Sequence, residues 1–150
     1  MIGDGEQRNE LIELSRKLNI VIDERLFFIG QQKNPFQWLR HSSLYILTSL
    51  WEGFPLSLCE AIVCGLPVVA ADCPTGPREI LNAVPAGVLM PLVHEDSPSS
   101  INTWANMLRN IINDHDARQM YRKRATEGAS VFSDERTIKE TITVVKSTLA

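Results

Sequence analysis

This sequence has few cysteines, no excess of basic residues and no long apolar run. Lys and Arg number 15 against 18 Asp and Glu, and the resulting net charge of −3 argues against nucleic acid as the main partner. No apolar run approaches the ~20 residues that span a membrane, and no signal peptide is visible. We therefore expect a globular protein that is cytoplasmic, or that lies at the cytoplasmic face of a membrane in full-length form, and that has no nucleic-acid partner.

Metal-ligating and disulfide patterns are missing as well. The three cysteines, Cys59, Cys64 and Cys73, are an odd number and lack the short spacing of a zinc knuckle. The only Asp-x-Asp run, Asp114-His115-Asp116, lies in the C-terminal part of the sequence, which is predicted to be largely helical. We expect reduced thiols, no metal site and no cofactor.

The order of apolar segments predicts an α/β fold. Hydrophobic residues make up 44% and charged residues 22% of the 150 residues, which is typical of one globular domain. Alternating short strands and helices predict a doubly wound, Rossmann-like parallel sheet flanked by helices, with its site at the carboxyl ends of the strands. Strands are expected at Leu26–Ile29, Leu44–Thr48, Pro67–Ala71 and Ala86–Met90, and the end of a further strand at Met1–Gly3.

Helices are expected between these strands and throughout the C-terminal tail. Asp4 is expected to cap the first helix, with Gln7 as its reciprocal partner. Phe36 and Trp38 follow a predicted helix start, and packing against the sheet is favoured for them over a role as a platform for a base. The tail is predicted to form helices over roughly 100–114, 117–131 and 134–148.

The stretch Ser49–Asp72 joins a loop, a helix and a buried strand, and it organises the rest of the chain. Pro55 fits the first helical position, because its missing N–H has no partner there, and Gly65 fits the end of the helix. The first amides of the helix have no intrahelical acceptor, and together with the helix dipole they favour an anion.

Two carboxylates, Glu52 and Glu60, frame this helix start. At ~1.5 Å rise per residue, Glu60 lies roughly 7 Å along the helix from Pro55. Carboxylates repel phosphate but accept hydrogen bonds from neighbouring hydroxyls. A phosphate at the helix start, with a ribose on one side and a hexose on the other, would satisfy the free amides and both carboxylates. The pattern therefore predicts a nucleotide-sugar site.

Glu52 and Glu60 also form an E-x7-E pattern within the string W-E-G-F-P-L-S-L-C-E-A-I-V-C-G-L-P-V-V-A-A-D-C-P-T-G-P-R-E-I-L. That spacing alone is common by chance, but the whole string resembles the donor-binding half of group 1 (GT4-like) retaining glycosyltransferases of the GT-B fold. The resemblance runs from Gly3 into the helical tail and is sharpest over Ser49–Leu81. It implies retaining transfer of a hexosyl or N-acetylhexosaminyl unit from a nucleotide sugar, with UDP favoured and no obligatory metal. The acceptor, a glycan, lipid or polyprenyl-linked sugar, is not specified by this half.

The resemblance implies a role for each site residue. Glu52 is the expected catalytic residue, which binds sugar hydroxyls and assists charge at the reacting carbon, and Glu60 is expected to hold the ribose. Surface roles for Arg78, and an ordinary strand-to-helix turn at Gly30 and Gln31, are the alternatives. The remaining expected contacts are amides to sugar and phosphate from Gly53, Phe54, Leu56 and Ser57, main-chain contacts to the base from Gly30 and Gln31, and phosphate or sugar contacts from Gly76 and Arg78.

Two parts of the family pattern are missing from this sequence. A complete first strand, and an Arg and a Lys that neutralise the diphosphate, lie in the family upstream of the Gly3-Asp4-Gly5 turn. The acceptor-binding domain is absent too. We therefore expect residues 1–150 to be an N-terminally truncated donor domain that is inactive when isolated. A non-catalytic nucleotide-binding module and an inactive truncated gene product are the alternatives.

Overall fold

The chain divides into two compact units, Met1–Trp38 and the residues from Leu39 onward. The structure is a computed structural model, and it describes residues 1–93 and 97–133. The helix predicted over 134–148 lies outside the described residues. Within the described ranges, none of the helices combines the length and the apolar character needed to cross a membrane.

The first unit contains α1 (Arg8–Lys17) and most of the single-turn α2 (Phe36–Leu39). The predicted Asp4 cap of the first helix is wrong, because Gln7 occupies the N-cap position without a side-chain hydrogen bond. Asp4 instead accepts a hydrogen bond from the amide of Gly5 at 3.0 Å.

The segments predicted as strands in this unit, Leu26–Ile29 and Met1–Gly3, are not strands in the structure. Three main-chain hydrogen bonds join the two segments: from the Met1 amino group to the Phe27 carbonyl at 2.5 Å, from the Ile29 amide to the Met1 carbonyl at 3.1 Å and from the Gly3 amide to the Gly30 carbonyl at 2.9 Å. Gly3 and Gly30, however, have φ values of 116° and 67°, which are not those of an extended strand. A strand requires a ladder that repeats along both segments, and this pairing does not continue far enough.

The favoured burial of Phe36 and Trp38 is wrong as well. Their side chains are 37% and 41% exposed. A helix of one turn buries few positions, and α2 buries only Leu39. The Trp38 indole donates to the side-chain oxygen of Gln32 at 3.1 Å.

The second unit is built on a three-stranded parallel sheet in the order β1 (Tyr45–Leu47), β2 (Val68–Ala71) and β3 (Gly87–Met90). Every residue of the central strand β2 is fully buried. A strand covered on both faces reads as a continuous apolar run, which is why it was recognisable in the sequence. The predicted parallel α/β sheet is confirmed for these three strands.

Helices cover both faces of this sheet. Successive side chains of a strand point to opposite faces, and β2 follows this rule. Val68 and Ala70 belong to one core cluster and Val69 and Ala71 to another. The first cluster includes residues of α3 (Leu56–Val63), α4 (Pro77–Ala83) and α6 (His115–Gly128), and the second includes residues of α5 (Pro98–Asn113).

The helical tail begins close to the predicted positions. The boundary between α5 and α6 is set by Asp114, which is extended (φ −91°, ψ 97°) and accepts a hydrogen bond from the Ala117 amide at 2.9 Å. This side-chain cap starts α6 two residues earlier than predicted. A short 3-10 helix, Ala129–Phe132, follows α6.

Candidate functional site

The start of α3 leaves main-chain amides open, as predicted. Pro55 is the N-cap residue (φ −74°, ψ 87°), one position before its predicted place, and no side chain caps the helix. The first helical hydrogen bond runs from the Leu58 amide to the Pro55 carbonyl at 3.0 Å. In the described part of the chain, the amides of Leu56 and Ser57 have no acceptor. Their N–H groups, at the positive end of the helix dipole, suit an anion.

Gly65 ends the same helix as predicted. It has a φ of 75°, which a side chain rarely adopts, and its amide donates to the Ile62 carbonyl at 2.8 Å. The Leu66 amide donates to the Ala61 carbonyl at 3.0 Å. Together these bonds form the left-handed terminator that leads directly into β2.

Glu52 is held at two of its atoms by hydroxyl groups from two different loops. Ser49 donates from Oγ to the Glu52 carboxylate oxygen Oε1 at 2.6 Å. Thr75 donates from Oγ1 to the Glu52 main-chain oxygen at 2.5 Å. The Glu52 side chain is half-buried. One hydroxyl thus orients the carboxylate and the other orients the peptide group that follows it.

Tyr45 contacts one of the predicted site residues directly. Its hydroxyl donates to Ser57 Oγ, in the first turn of α3, at 2.7 Å. Burial raises the pKa of Tyr45, and the charges of Glu52 and Glu60 raise it further, although the hydrogen bond to Ser57 lowers it. The tyrosine therefore lies within electrostatic reach of both carboxylates.

Glu60 is half-buried on α3. Among the described residues, its carboxylate makes no hydrogen bond or ion pair. Burial, followed by the charge of Glu60, raises the pKa of the neighbouring Cys59 thiol to about 11. The carboxylate of Glu60 is therefore available as an acceptor for ligand hydroxyls.

Three predicted site residues between Glu52 and the first turn of α3 are exposed to solvent: Gly53, Phe54 and Leu56. A Cβ atom built on Gly53 would meet nothing within 4 Å. The side chains of Phe54 and Leu56 are 57% and 67% exposed. The predicted contacts of these three residues are main-chain amides, and none of these amides has an acceptor among the described residues.

The loop before α4 packs against the Glu52 loop. Gly76 has a φ of 90°, and a Cβ there would lie 2.4 Å from Pro55 Cδ. Arg78, predicted as a phosphate or sugar partner, forms an ion pair with Asp72 through Nε to Oδ1 at 3.0 Å and through a second N–H to Oδ2. Two of its five N–H donors are engaged in this way, and a ligand contact remains a prediction.

The remaining predicted contacts, Gly30 and Gln31, belong to the first unit. Gly30 is a turn residue with a φ of 67°, and Gln31 is exposed. Their role in base binding stays a prediction.

Sequence reasoning missed three residues that the structure places in the site: Tyr45, Ser49 and Thr75. Ser49 stands three residues before Glu52, a spacing that signals a local hydroxyl-to-carboxylate bond. The pattern around Tyr45 predicts only a strand, Leu44–Thr48. Thr75 is 23 residues from Glu52, so no local pattern predicts its contact.

The described residues show no metal-binding cluster. No group of three or more His, Cys, Asp or Glu side chains within them is arranged to hold a metal ion. The three cysteines are free thiols, and Cys59 and Cys73 are buried.

Comparison with known proteins identifies related sequences. The model of the family "Glycosyl transferases group 1" matches residues 1–128. An uncharacterized glycosyltransferase of Methanocaldococcus jannaschii is 49% identical over 81 residues, which cover 54% of this chain and 20% of that protein. The N-acetylgalactosamine-N,N'-diacetylbacillosaminyl-diphospho-undecaprenol 4-alpha-N-acetylgalactosaminyltransferase of Campylobacter jejuni is 26% identical over 132 residues, which cover 88% of this chain and 34% of that protein.

Solved structures share the fold. Anabaena HepE in complex with UDP and glucose has a TM-score of 0.76 and 28% identity, with 98% of this chain and 39% of that chain covered. The pneumococcal O-GlcNAc transferase GtfA in complex with UDP and GlcNAc has a TM-score of 0.82 and 21% identity, with 99% of this chain and 29% of that chain covered. This chain therefore spans well under half the length of these relatives.

Proposed function

This chain belongs to the group 1 glycosyl transferases and has the fold of a GT-B donor domain, and we propose that it binds the nucleotide sugar for a retaining glycosyltransferase. The observation that carries this proposal is the uncapped start of α3, with Glu52 in the loop before it and Glu60 in the second turn of the helix. The phosphates would lie at the open amides of Leu56 and Ser57. Glu60 would accept from the ribose and Glu52 from the transferred sugar.

The chemistry of the three groups supports this assignment. Open amides at a helix start stabilise a phosphate, whereas a carboxylate beside a phosphate repels it. Each carboxylate is therefore best satisfied by neutral hydroxyls, which a ribose and a hexose supply on opposite sides of a diphosphate. Ser49 fixes the orientation of the Glu52 carboxylate and leaves its second oxygen for the ligand.

UDP is the nucleotide we propose. HepE is described in complex with UDP and glucose, and the pneumococcal transferase in complex with UDP and GlcNAc. A hexosyl or N-acetylhexosaminyl group fits the same pattern. The resemblance also supports transfer without an obligatory metal ion, so an excess of EDTA should leave the activity of the full-length enzyme unchanged.

We further propose that this chain alone binds its donor weakly. A helix N-terminus contributes only about 0.3–1 kcal/mol per favourable charge at an exposed site. Arg78 is already paired with Asp72, and two carboxylates lie nearby. Strong binding of a diphosphate would then require more cations than these residues supply. The free thiols fit a reducing, cytoplasmic location.

Calorimetric titration of UDP into the protein and its Glu60→Ala variant tests the proposed function. The variant should bind UDP about tenfold more weakly, because it loses an acceptor for two ribose hydroxyls. Glu127→Ala is the matched control, since Glu127 is an exposed helical glutamate on α6. Equal UDP affinity in the Glu60→Ala and wild-type proteins would contradict the ribose assignment.

A further inference from the structure

Thr75, in the loop between β2 and α4, has an unusual backbone conformation. Its φ is 64°. A β-branched residue rarely takes a positive φ, because its side chain then crowds the main chain. Strain of this kind persists only where the surrounding contacts impose it, and it is concentrated at functional sites.

The contacts that hold Thr75 come from the Glu52 loop. Its hydroxyl oxygen lies 2.5 Å from the Glu52 carbonyl oxygen and 2.7 Å from the carbonyl oxygen of Pro74. A hydroxyl has one proton to donate, and the carbonyl of Glu52 is the nearer acceptor. The next residue, Gly76, packs against Pro55, as its missing side chain allows. The Thr75 loop is therefore fixed directly against the segment that carries Glu52.

A hydrogen bond to this carbonyl also determines where the next amide points. The peptide group between Glu52 and Gly53 is planar and trans, so its C=O and N–H point in opposite directions. Thr75 holds the C=O from one side. The Gly53 N–H must then point to the other side, and it has no acceptor among the described residues. The space around Gly53 is open.

We propose that Thr75 is a positioning residue that aims the Gly53 amide at a hydroxyl of the transferred sugar. The inference rests on the proposed function, because Glu52 is assigned to that sugar and Gly53 follows it directly. Thr75 contacts no ligand itself. Its hydroxyl contacts the Glu52 carbonyl, so its effect is transmitted through one peptide group.

Thr75→Val and Thr75→Ser separate the hydroxyl from the rest of the side chain. Valine keeps the branched shape and loses the hydrogen bond, whereas serine keeps the hydroxyl. Thr103→Val is the matched control, because Thr103 is also exposed and donates to a main-chain carbonyl, that of Ser99, at 2.8 Å. All three variants should keep the fold.

The first measurement is the amide proton and nitrogen spectrum of the ligand-free protein. Thr75→Val should shift the Gly53 amide signal, Thr75→Ser should restore it to near its wild-type position, and Thr103→Val should leave it unchanged. An unshifted Gly53 signal in Thr75→Val would overturn the proposal. This result requires no ligand, so it tests whether Thr75 orients the Gly53 amide even if the proposed function fails.

The second measurement compares UDP-glucose with UDP by calorimetry. Thr75→Val should raise the Kd of UDP-glucose about tenfold and change the Kd of UDP by less than about twofold, with Thr75→Ser close to wild type. An equal loss of affinity for both ligands, together with a lower melting temperature, would show a purely structural role and overturn the proposal. A wild-type protein that binds neither ligand would count against the proposed function, and the Gly53 signal would still test Thr75.

Discussion

Residues 49–57 and residues 58–71 follow one another directly in the chain, yet the first segment is mostly exposed and the second mostly buried. In the first segment, Trp51 and Leu56 are 76% and 67% exposed. In the second, Leu58, Ile62 and the whole of β2 are fully buried. The first segment presents main-chain amides and a carboxylate to solvent, and the second fills the core on both sides of the sheet. The buried segment supplies the rigidity that holds the exposed groups in place.

The boundary between the two segments falls inside α3. Leu56 and Ser57 are exposed, whereas Leu58 and Cys59 are buried, so the helix enters the core after its first two residues. Large exposed apolar side chains, such as that of Trp51, contribute little to folding stability. Substitutions on the two sides of this boundary should therefore have separable effects on stability and on ligand binding.

The largest expected effect is on stability, and a pair of substitutions in α3 tests it. Ile62→Ala should lower the free energy of unfolding by about 3 kcal/mol, because it opens a cavity beneath the sheet. Leu56→Ala, in the same helix, should lower it by less than about 0.5 kcal/mol, since its side chain is already exposed. Urea unfolding followed by circular dichroism measures both. If Ile62→Ala does not fold, Ile62→Val gives the same comparison with a loss of about 1 kcal/mol.

Similar losses in the two variants would contradict the burial boundary. It would mean that Leu56 is covered in solution, for example by a second copy of the chain. Sedimentation at two protein concentrations would detect that association.

The second-largest expected effect is a loss of turnover when Glu52, in the exposed segment, is substituted. In the full-length enzyme, Glu52→Gln should reduce kcat about a hundredfold, because the neutral amide no longer stabilises positive charge at the reacting carbon. The affinity for UDP should change by less than about twofold, since Glu52 is assigned to the sugar and not to the nucleotide. A radiolabelled transfer assay and a UDP titration measure the two quantities. Glu127→Gln on α6 is the control for the loss of one negative charge.

Loss of UDP binding in Glu52→Gln, with unchanged binding in Glu60→Ala, would reverse the two assignments. The melting temperature should stay near that of the wild type, because the Glu52 side chain is only half-buried. A large drop would instead place Glu52 with the structural residues of the buried segment.

Local sequence signals predicted the end of α3 and the central strand β2. Gly65 ends α3 with a φ of 75°, as its residue type indicates. The apolar run of β2 is recognisable because both of its faces are covered. These features depend on residues within a few positions of one another, and a single sequence carries that information.

The features that sequence reasoning missed depend on distant partners. Leu26–Ile29 has the composition of a strand but lacks a continuous ladder in the structure. The bond between Thr75 and Glu52 and the bond between Tyr45 and Ser57 join separate loops or elements. Which hydroxyl orients which carbonyl is determined by the packing of the two loops, and the residue types alone do not specify it.

The smallest expected effect concerns Cys59, the second residue on the buried side of the boundary. Burial, with the charge of Glu60 adding to it, raises the pKa of this thiol from 9.0 to about 11. The folded protein therefore keeps the thiol proton over a pH range in which the unfolded chain releases it. The contribution of Cys59 to stability is complete below about pH 9 and is lost as the pH rises to about 11.

Urea unfolding of the wild type and of Cys59→Ala at pH 8 and pH 10 tests this prediction. The wild type should lose more stability between the two values than the variant, because only the wild type has this thiol to ionise on unfolding. The Cys59→Ala variant should still lose some stability between pH 8 and pH 10, since the pKa values of Cys73 and Tyr45 are also raised by burial. An identical loss in both proteins would mean that Cys59 titrates normally in the folded state. In that case solvent reaches α3 beyond Leu58, and the burial boundary lies further along the helix.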